Sequence, residues 1–248
     1  MEVIASGISD IGKKRKTNQD SICVNKEHHF YVVADGMGGH NGGDIASQMS
    51  VKILPEFIKK NISKVEPEKL ISSAIGFVNN EIFNHGQKNA ELKGMGTTIS
   101  SVLITETYAF IGNVGDSRVY MINNGKLFQM TRDHSLVQEK LNLGVYDREG
   151  ARNDPQKNIL IKTVGFEKDV SVDVYKYKIS KHDIFLICSD GLHGKVSDSD
   201  ILNIVNTKIQ NPRNATQEEL TDAAQHLVNQ ANINGGQDNI SVILLAVK

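Results

Sequence analysis

An α+β fold built on antiparallel sheets is what this sequence predicts, and three observations predict it. Short runs rich in β-branched residues follow one another at hairpin spacing: TTISSVLI (97–104), YAFIGNV (108–114) and RVYMI (118–122). Helical segments are grouped between strand clusters and do not alternate with strands one for one, which argues against a βαβ repeat. Four acidic loops follow apolar runs, at VVADGMGG, FIGNVGDSR, FLICSDGL and GGQDNIS, as side chains placed at strand ends would.

The elements follow in order. HHFYVVAD (28–35) is an apolar run ending at the first acidic loop. In 44–62, Ile45, Met49, Ile53 and Phe57 recur every fourth residue and give a helix one apolar face, with Pro55 expected to kink or split it. A second helix is predicted over 67–85: Pro67 suits its first turn, Ile71, Ala74, Ile75, Val78 and Ile82 form the stripe, and Gly86 ends it. After the three strands already named, Asn124-Gly125 is the signature of a two-residue hairpin leading into KLFQMT. Val170, Val172 and Val174 alternate as a half-buried strand. The continuous apolar run 184–189 reads as a central strand. Thr216 and Glu219 form a capping box for a helix with Leu220, Ala223, Ala224, Leu227, Val228 and Ala231 on one face, and ISVILLAV (240–247) is a buried strand. Segment 141–165 is polar, marked by Gly and Pro, and long for a connection, which points to a functional loop.

Bulk properties set limits on function. With 248 residues, 39% hydrophobic and 23% charged, the chain can bury a sizeable core as a single domain over 1–248. Its net charge of -1 gives no general attraction to nucleic acid or anionic membrane. No apolar stretch is long enough to span a bilayer, and the N-terminal residues lack the order of a signal peptide. Cys23 and Cys188 both lie in apolar segments and read as reduced, buried thiols of a cytoplasmic protein. A monomer is the expected state.

The chemistry lies in the acidic loops. One Asp beside Gly or Asn is an ordinary turn. Four of them, from Asp35 to Asp238, suggest carboxylates converging on hard cations such as magnesium, manganese or calcium. No Cys/His spacing suits zinc. A pair of such cations would activate water and neutralise an anionic transition state, which fits hydrolysis of a phosphate ester. The basic cluster KKRKTNQD reads by itself as a solvated turn or a nucleic-acid patch, but Asp20 follows Arg15 by five residues, and the Arg15 fork could grip phosphate beside the cations. His40 ends DGMGGH, where an imidazole is either a turn residue or an acid for the leaving alcohol. GMGGHNGG lacks the Gly-Lys-Ser/Thr ending of a P-loop.

In order along the chain, RKTNQD, DGMGGH, GMGTT, VGDSR, TRDHS, CSDGL and GGQDNIS resemble the motifs of the PPM family, the metal-dependent type 2C protein serine/threonine phosphatases, in their compact bacterial form. The resemblance runs from about residue 6 to 247. It implies a four-layer α-β-β-α sandwich, two antiparallel sheets face to face with helices outside and the site at one end of the sheets. It further implies that Asp35 bridges two metals, that Gly36 gives its carbonyl to one, that Asp190 and Asp238 complete the other shell, and that Asp20 holds metal-bound waters. Asp116 resembles a ligand for a third metal, shared with Asp190. Arg15 is implied to bind the substrate phosphate and His40 to be the candidate acid, with 141–165 as a variable flap. Two to three manganese or magnesium ions are implied as cofactors, with phosphorylated proteins as substrates and a cognate serine/threonine kinase as a partner. The reaction implied is direct attack of a metal-bridging hydroxide on phosphoserine or phosphothreonine. Alternatives are a phosphoprotein-binding module without turnover and a hydrolase of small phosphate esters. Two departures stand out: Gln19 lies where many members have Glu, and Asp154-Pro155 where many have His-Pro.

Overall fold

The computed structural model describes residues 2–37, 42–145, 147, 150 and 154–248. Eleven strands are named: β1 (Val3–Asp10), β2 (Asp20–Asn25), β3 (Phe30–Met37), β4 (Gly96–Thr97), β5 (Ile99–Ile104), β6 (Tyr108–Val114), β7 (Arg118–Asn123), β8 (Lys126–Gln129), β9 (Asp173–Lys178), β10 (Ile184–Cys188) and β11 (Ile240–Val247). The α-helices, among the described residues, are α1 (Gly43–Asn61), α2 (Pro67–Lys88), α3 (Leu136–Asn142), α4 (Asp190–His193), α5 (Asp198–Lys208) and α6 (Gln217–Ile233).

The strands form two antiparallel sheets, ordered β1-β11-β10-β7-β8 and β2-β3-β5-β6-β9, with β4 added beside β3. Alternation along the strands then builds three apolar layers. Phe185 and Ile187 of β10 and Ile243 and Leu245 of β11 point toward Val33, Val102 and Ile111 of the other sheet. Their neighbours Leu186, Cys188, Val242 and Leu244 point outward onto α5 and α6. The second sheet turns Val32, Ile99 and Leu103 onto α1 and α2. The result is the four-layer α-β-β-α sandwich. β10 is the middle strand of its sheet, as its unbroken apolar run predicts.

The Asn124-Gly125 turn has both residues at positive φ (49° and 69°), the geometry a two-residue hairpin needs to match strand twist. At α6, Thr216 Oγ1 accepts from Glu219 N at 3.1 Å while Glu219 Oε2 accepts from Thr216 N at 2.8 Å, which is the predicted capping box.

Four expectations need correction. Helix α1 runs through Pro55 unsplit, because Leu54 and Ile58 on either side are fully buried and hold both halves in place. Gly86 does not end α2 but lies inside it, where a Cβ would come within 3.0 Å of the Leu92 carbonyl. Val170 and Val172 pack on the outer core with Val174, yet the ladder to β6 begins only at Asp173. The thiols are free, with Cys188 buried but Cys23 only half-buried. No helix among the described residues is long and apolar enough to cross a membrane.

Candidate active site

One end of the two sheets gathers the acidic side chains. Asp20 begins β2 and lies directly opposite Asp35 of β3 in the ladder. Asp190 follows β10 as the first residue of α4, Asp238 lies two residues before β11, and Asp116 occupies the turn from β6 to β7. Each is thus placed at the end of a strand that the sandwich holds in register.

The surrounding backbone is tightly tied. Asp35 N donates to Thr98 Oγ1 at 3.0 Å, and its carbonyl accepts from Thr98 N at 2.8 Å and Thr97 Oγ1 at 2.9 Å. Gly36 has no room for a side chain, since a Cβ would lie 2.1 Å from the Gly43 carbonyl and 2.5 Å from that of Gln19. Asn239 joins the N-terminal loop to the last strand: its Oδ1 accepts from Gln19 N at 2.9 Å, and its Nδ2 donates to the carbonyls of Ile11 at 2.9 Å and Thr17 at 3.0 Å.

The electrostatics are unfavourable as they stand. Burial, then the charges of Asp190 and Asp238, raises the Asp20 carboxyl to about 7, although the hydrogen bond from Ser189 opposes the shift. Burial and the charges of Asp20, Asp190, Asp116 and Asp238 hold Asp35 well above the usual carboxylate range. Burial and Asp190 do the same to Asp116. Asp190 is raised to about 6 by burial and by Asp238, against a hydrogen bond with Asp35 and the charge of Arg15. These five acids therefore occupy one electrostatic neighbourhood. Arg15 faces it, with Nη2 donating to Asp238 Oδ2 at 2.7 Å.

Do these residues suit a divalent cation? Ser189 Oγ donates to Asp20 Oδ2 at 2.7 Å, but Asp20 Oδ1 is buried with no hydrogen-bond partner. A buried carboxylate oxygen left open, among mutually repelling carboxylates, is what a hard cation or its water shell would satisfy. Among the described residues no three His, Cys, Asp or Glu side chains form a ready cage for one ion. The donors are spread over Asp20, Asp35, Asp190, Asp238, Asp116 and the Gly36 carbonyl, a set suited to ions that keep part of their water. The residues fit the group.

Of the predicted site residues, Asp20, Asp35, Gly36, Asp116, Asp190, Asp238 and Arg15 all lie at this end; His40 lies outside the described residues. Gln19 is half-buried and serves through its backbone, its carbonyl accepting from Gly36 N at 3.1 Å and Ser47 Oγ at 2.6 Å. Asp154 is tied to α3, with Lys140 Nζ at 3.0 Å from Oδ2.

Sequence reasoning missed the supports. Arg118 grips Asp133 with Nε at 2.9 Å and Nη2 at 2.7 Å, bracing the Asp116 turn from beneath. His134 Nδ1 accepts from Gly115 N at 3.1 Å, and His193 Nε2 donates to the Asp116 carbonyl at 3.0 Å. Burial lowers both imidazoles, His193 furthest, with help from Arg118. TRDHS and GDSR already held Asp133, His134 and Arg118, but only the fold pairs them.

A cavity of about 650 Å³ opens beside Asp116 and Asp190, lined also by Gln138 and Asn142 of α3 and by Asn158. Its size falls in the range of small-molecule and peptide-segment sites.

Comparison with known proteins agrees with this architecture. The family described as protein phosphatase 2C matches residues 11–230. The serine/threonine phosphatase Stp of Listeria monocytogenes serotype 4b is 37% identical over 243 residues, covering 96% of this chain and 93% of the relative. The protein phosphatase PhpP of Streptococcus pneumoniae is 36% identical over 245 residues, covering 97% and 96%. Among solved structures, the serine/threonine phosphatase PstP/Ppp of Mycobacterium tuberculosis superposes with a TM-score of 0.89 at 28% identity, covering 99% of both chains. The S. agalactiae serine/threonine phosphatase gives 0.87 at 35% identity, covering 100% of both chains. The catalytic domain of PstP has also been solved in complex with two manganese ions, with a TM-score of 0.86 to this chain at 28% identity, covering 99% of both chains. In sequence and in fold, this chain belongs to the protein phosphatase 2C family.

Proposed function

We propose that the acidic end of the sandwich is the catalytic centre, and that it hydrolyses phosphoserine and phosphothreonine in cytoplasmic proteins with the help of divalent cations. Membership of the family makes the chain a protein-serine/threonine phosphatase. The observation that carries the site is the meeting of five mutually repelling carboxylates with one guanidinium at the sheet ends.

In this reading Asp35, Asp190, Asp238 and the Gly36 carbonyl would hold the ions, with Asp20 available to the water around them and Asp116 available with Asp190 to a further ion. Bound divalent cations supply Lewis-acid activation of water and neutralise charge on the transferring phosphoryl group. Arg15, next to Asp238, grips the phosphate oxygens and sets the ester for in-line attack by water. The Asn239 clamp and the Thr98 bonds to Asp35 keep the ligands from shifting as substrate enters.

Phosphate release from a phosphothreonine peptide in the presence of manganese tests this. Asp35→Asn and Asp190→Asn should each abolish release while the circular dichroism stays native. Full activity in either variant, or in excess chelator, would refute the mechanism.

A further inference from the structure

That site uses only one residue of the basic run Lys13-Lys14-Arg15-Lys16. The loop carrying the run is tied down along its length. Asp10 Oδ1 accepts from Gly12 N at 2.8 Å and from Asn232 Nδ2 at 3.1 Å. Lys13 N donates to the Gly236 carbonyl at 2.7 Å, and Asn239 holds the carbonyls of Ile11 and Thr17 on either side of the run. Gly12 is at φ +77°, and a Cβ there would lie 2.2 Å from the Asp238 carbonyl. The loop is therefore pressed against the turn that carries Asp238.

Lys13, Lys14 and Lys16 are exposed, and among the described residues they have no ion-pair partner. Lys195 approaches the same turn from the α4 side, where its Nζ bonds Gln237 Oε1. Lys13 and Lys195 thus both meet the turn that leads to Asp238. Like charges at neighbouring positions repel. An anion placed among them removes that repulsion.

We infer that this rim selects protein segments with anionic groups, carboxylates or a second phosphate, within a residue or two of the phosphoresidue. The inference rests on the phosphatase reading above. With the scissile phosphate at Arg15, the flanking substrate residues pass over Lys14 and Lys16. Lysines suit this task because each is a point charge on a long flexible stem, so no fixed register of the substrate acids is required. The rim also offsets the repulsion an acidic segment would meet from the carboxylates of the site.

The test uses phosphothreonine peptides of one length whose flanking residues are Glu, Ala or Lys, a doubly phosphorylated peptide, and p-nitrophenyl phosphate, which has no flanks. At low salt, kcat/KM should be about tenfold higher for the Glu-flanked than for the Ala-flanked peptide, the sum of a few exposed charge pairs. That ratio should shrink as salt is added. In the triple variant Lys13→Ala, Lys14→Ala, Lys16→Ala the ratio should approach one, with turnover of p-nitrophenyl phosphate unchanged. A gain confined to the doubly phosphorylated peptide would support the rim and name the second phosphate as its ligand. Equal kcat/KM for Glu and Ala flanks together with no gain from a second phosphate, or a preference that survives in the triple variant, would overturn the inference. Failure to turn over any substrate, p-nitrophenyl phosphate included, would instead count against the phosphatase reading.

Discussion

Between the sheets, Val33, Val102, Ile111, Phe185 and Ile187 are sealed from solvent in one apolar cluster. A few residues along the same strands, Asp20, Asp35, Asp116 and Asp190 crowd together and push one another toward protonation. The middle lowers the free energy of the fold by removing hydrocarbon from water. The end raises it by desolvating charge next to like charge. The difference shows that rigidity generated in one part of a strand is what holds an unfavourable constellation in another.

If that contrast is right, the two regions respond to mutation in opposite ways. The largest effect belongs to Asp35→Asn, which should lower kcat by about a thousandfold or more, about 4 kcal/mol of transition-state stabilisation. The same change should raise the Tm of the metal-free protein near pH 8, because it removes a buried charge. A lower Tm would mean that Asp35 is not under electrostatic strain.

Ile187→Ala should do the reverse. Ile187 is fully buried, so its truncation should cost about 2–5 kcal/mol of stability in a denaturant titration. Activity per folded molecule should hardly change, and a large loss would show that middle and end are not separable. Arg15 lies between the two extremes. Its side chain is 51% exposed, so its pairing with Asp238 adds little stability. Arg15→Ala should raise KM about tenfold with Tm nearly constant; an unchanged KM would remove it from the phosphate site.

The smallest effect is set by pH. Asp20 is raised to about 7 and Asp190 to about 6, both from 3.8 in the unfolded chain. Between those limits the metal-free native state binds more protons than the unfolded state, so its stability falls as pH rises through the window. Cations compete with those protons. The rise in Tm on adding manganese should therefore be larger near pH 8 than near pH 6, by about 2–4 °C for each kcal/mol of difference. A larger rise at the lower pH would contradict the proton competition.

Much of this contrast could be read before the fold was seen. Acid beside Gly at the end of an apolar run marks both a strand and its functional tip, which is why Asp35, Asp116 and Asp190 stood out. The hairpin at Asn124 and the capping box at Thr216 were legible because local geometry alone decides them. What depends on distant packing was not. β1 is thinly apolar and contains Gly7, whose place is dictated by β2 crossing so close that a Cβ would lie 2.9 Å from Val24 Cγ2. At Pro55, tertiary burial of Leu54 and Ile58 outweighs one missing backbone donor, which no local pattern reveals. The Arg118–Asp133 and Asn239 supports join residues that no local pattern pairs.

The β1–β11 ladder, Val3 with Val247 through Asp10 with Ile240, has a further consequence during synthesis. Pairing of this kind is slow because the closing loop runs all the way from Asp10 to Ile240. Arg15, Asp20 and Asp35 leave the ribosome well before Asp238, which pairs with Arg15, and Asn239, which holds the loop around it. A nascent chain therefore carries the phosphate-gripping arginine and the first acids long before it can cut an ester. Catalytic power should switch on in a single late step, when β11 slots between β1 and β10.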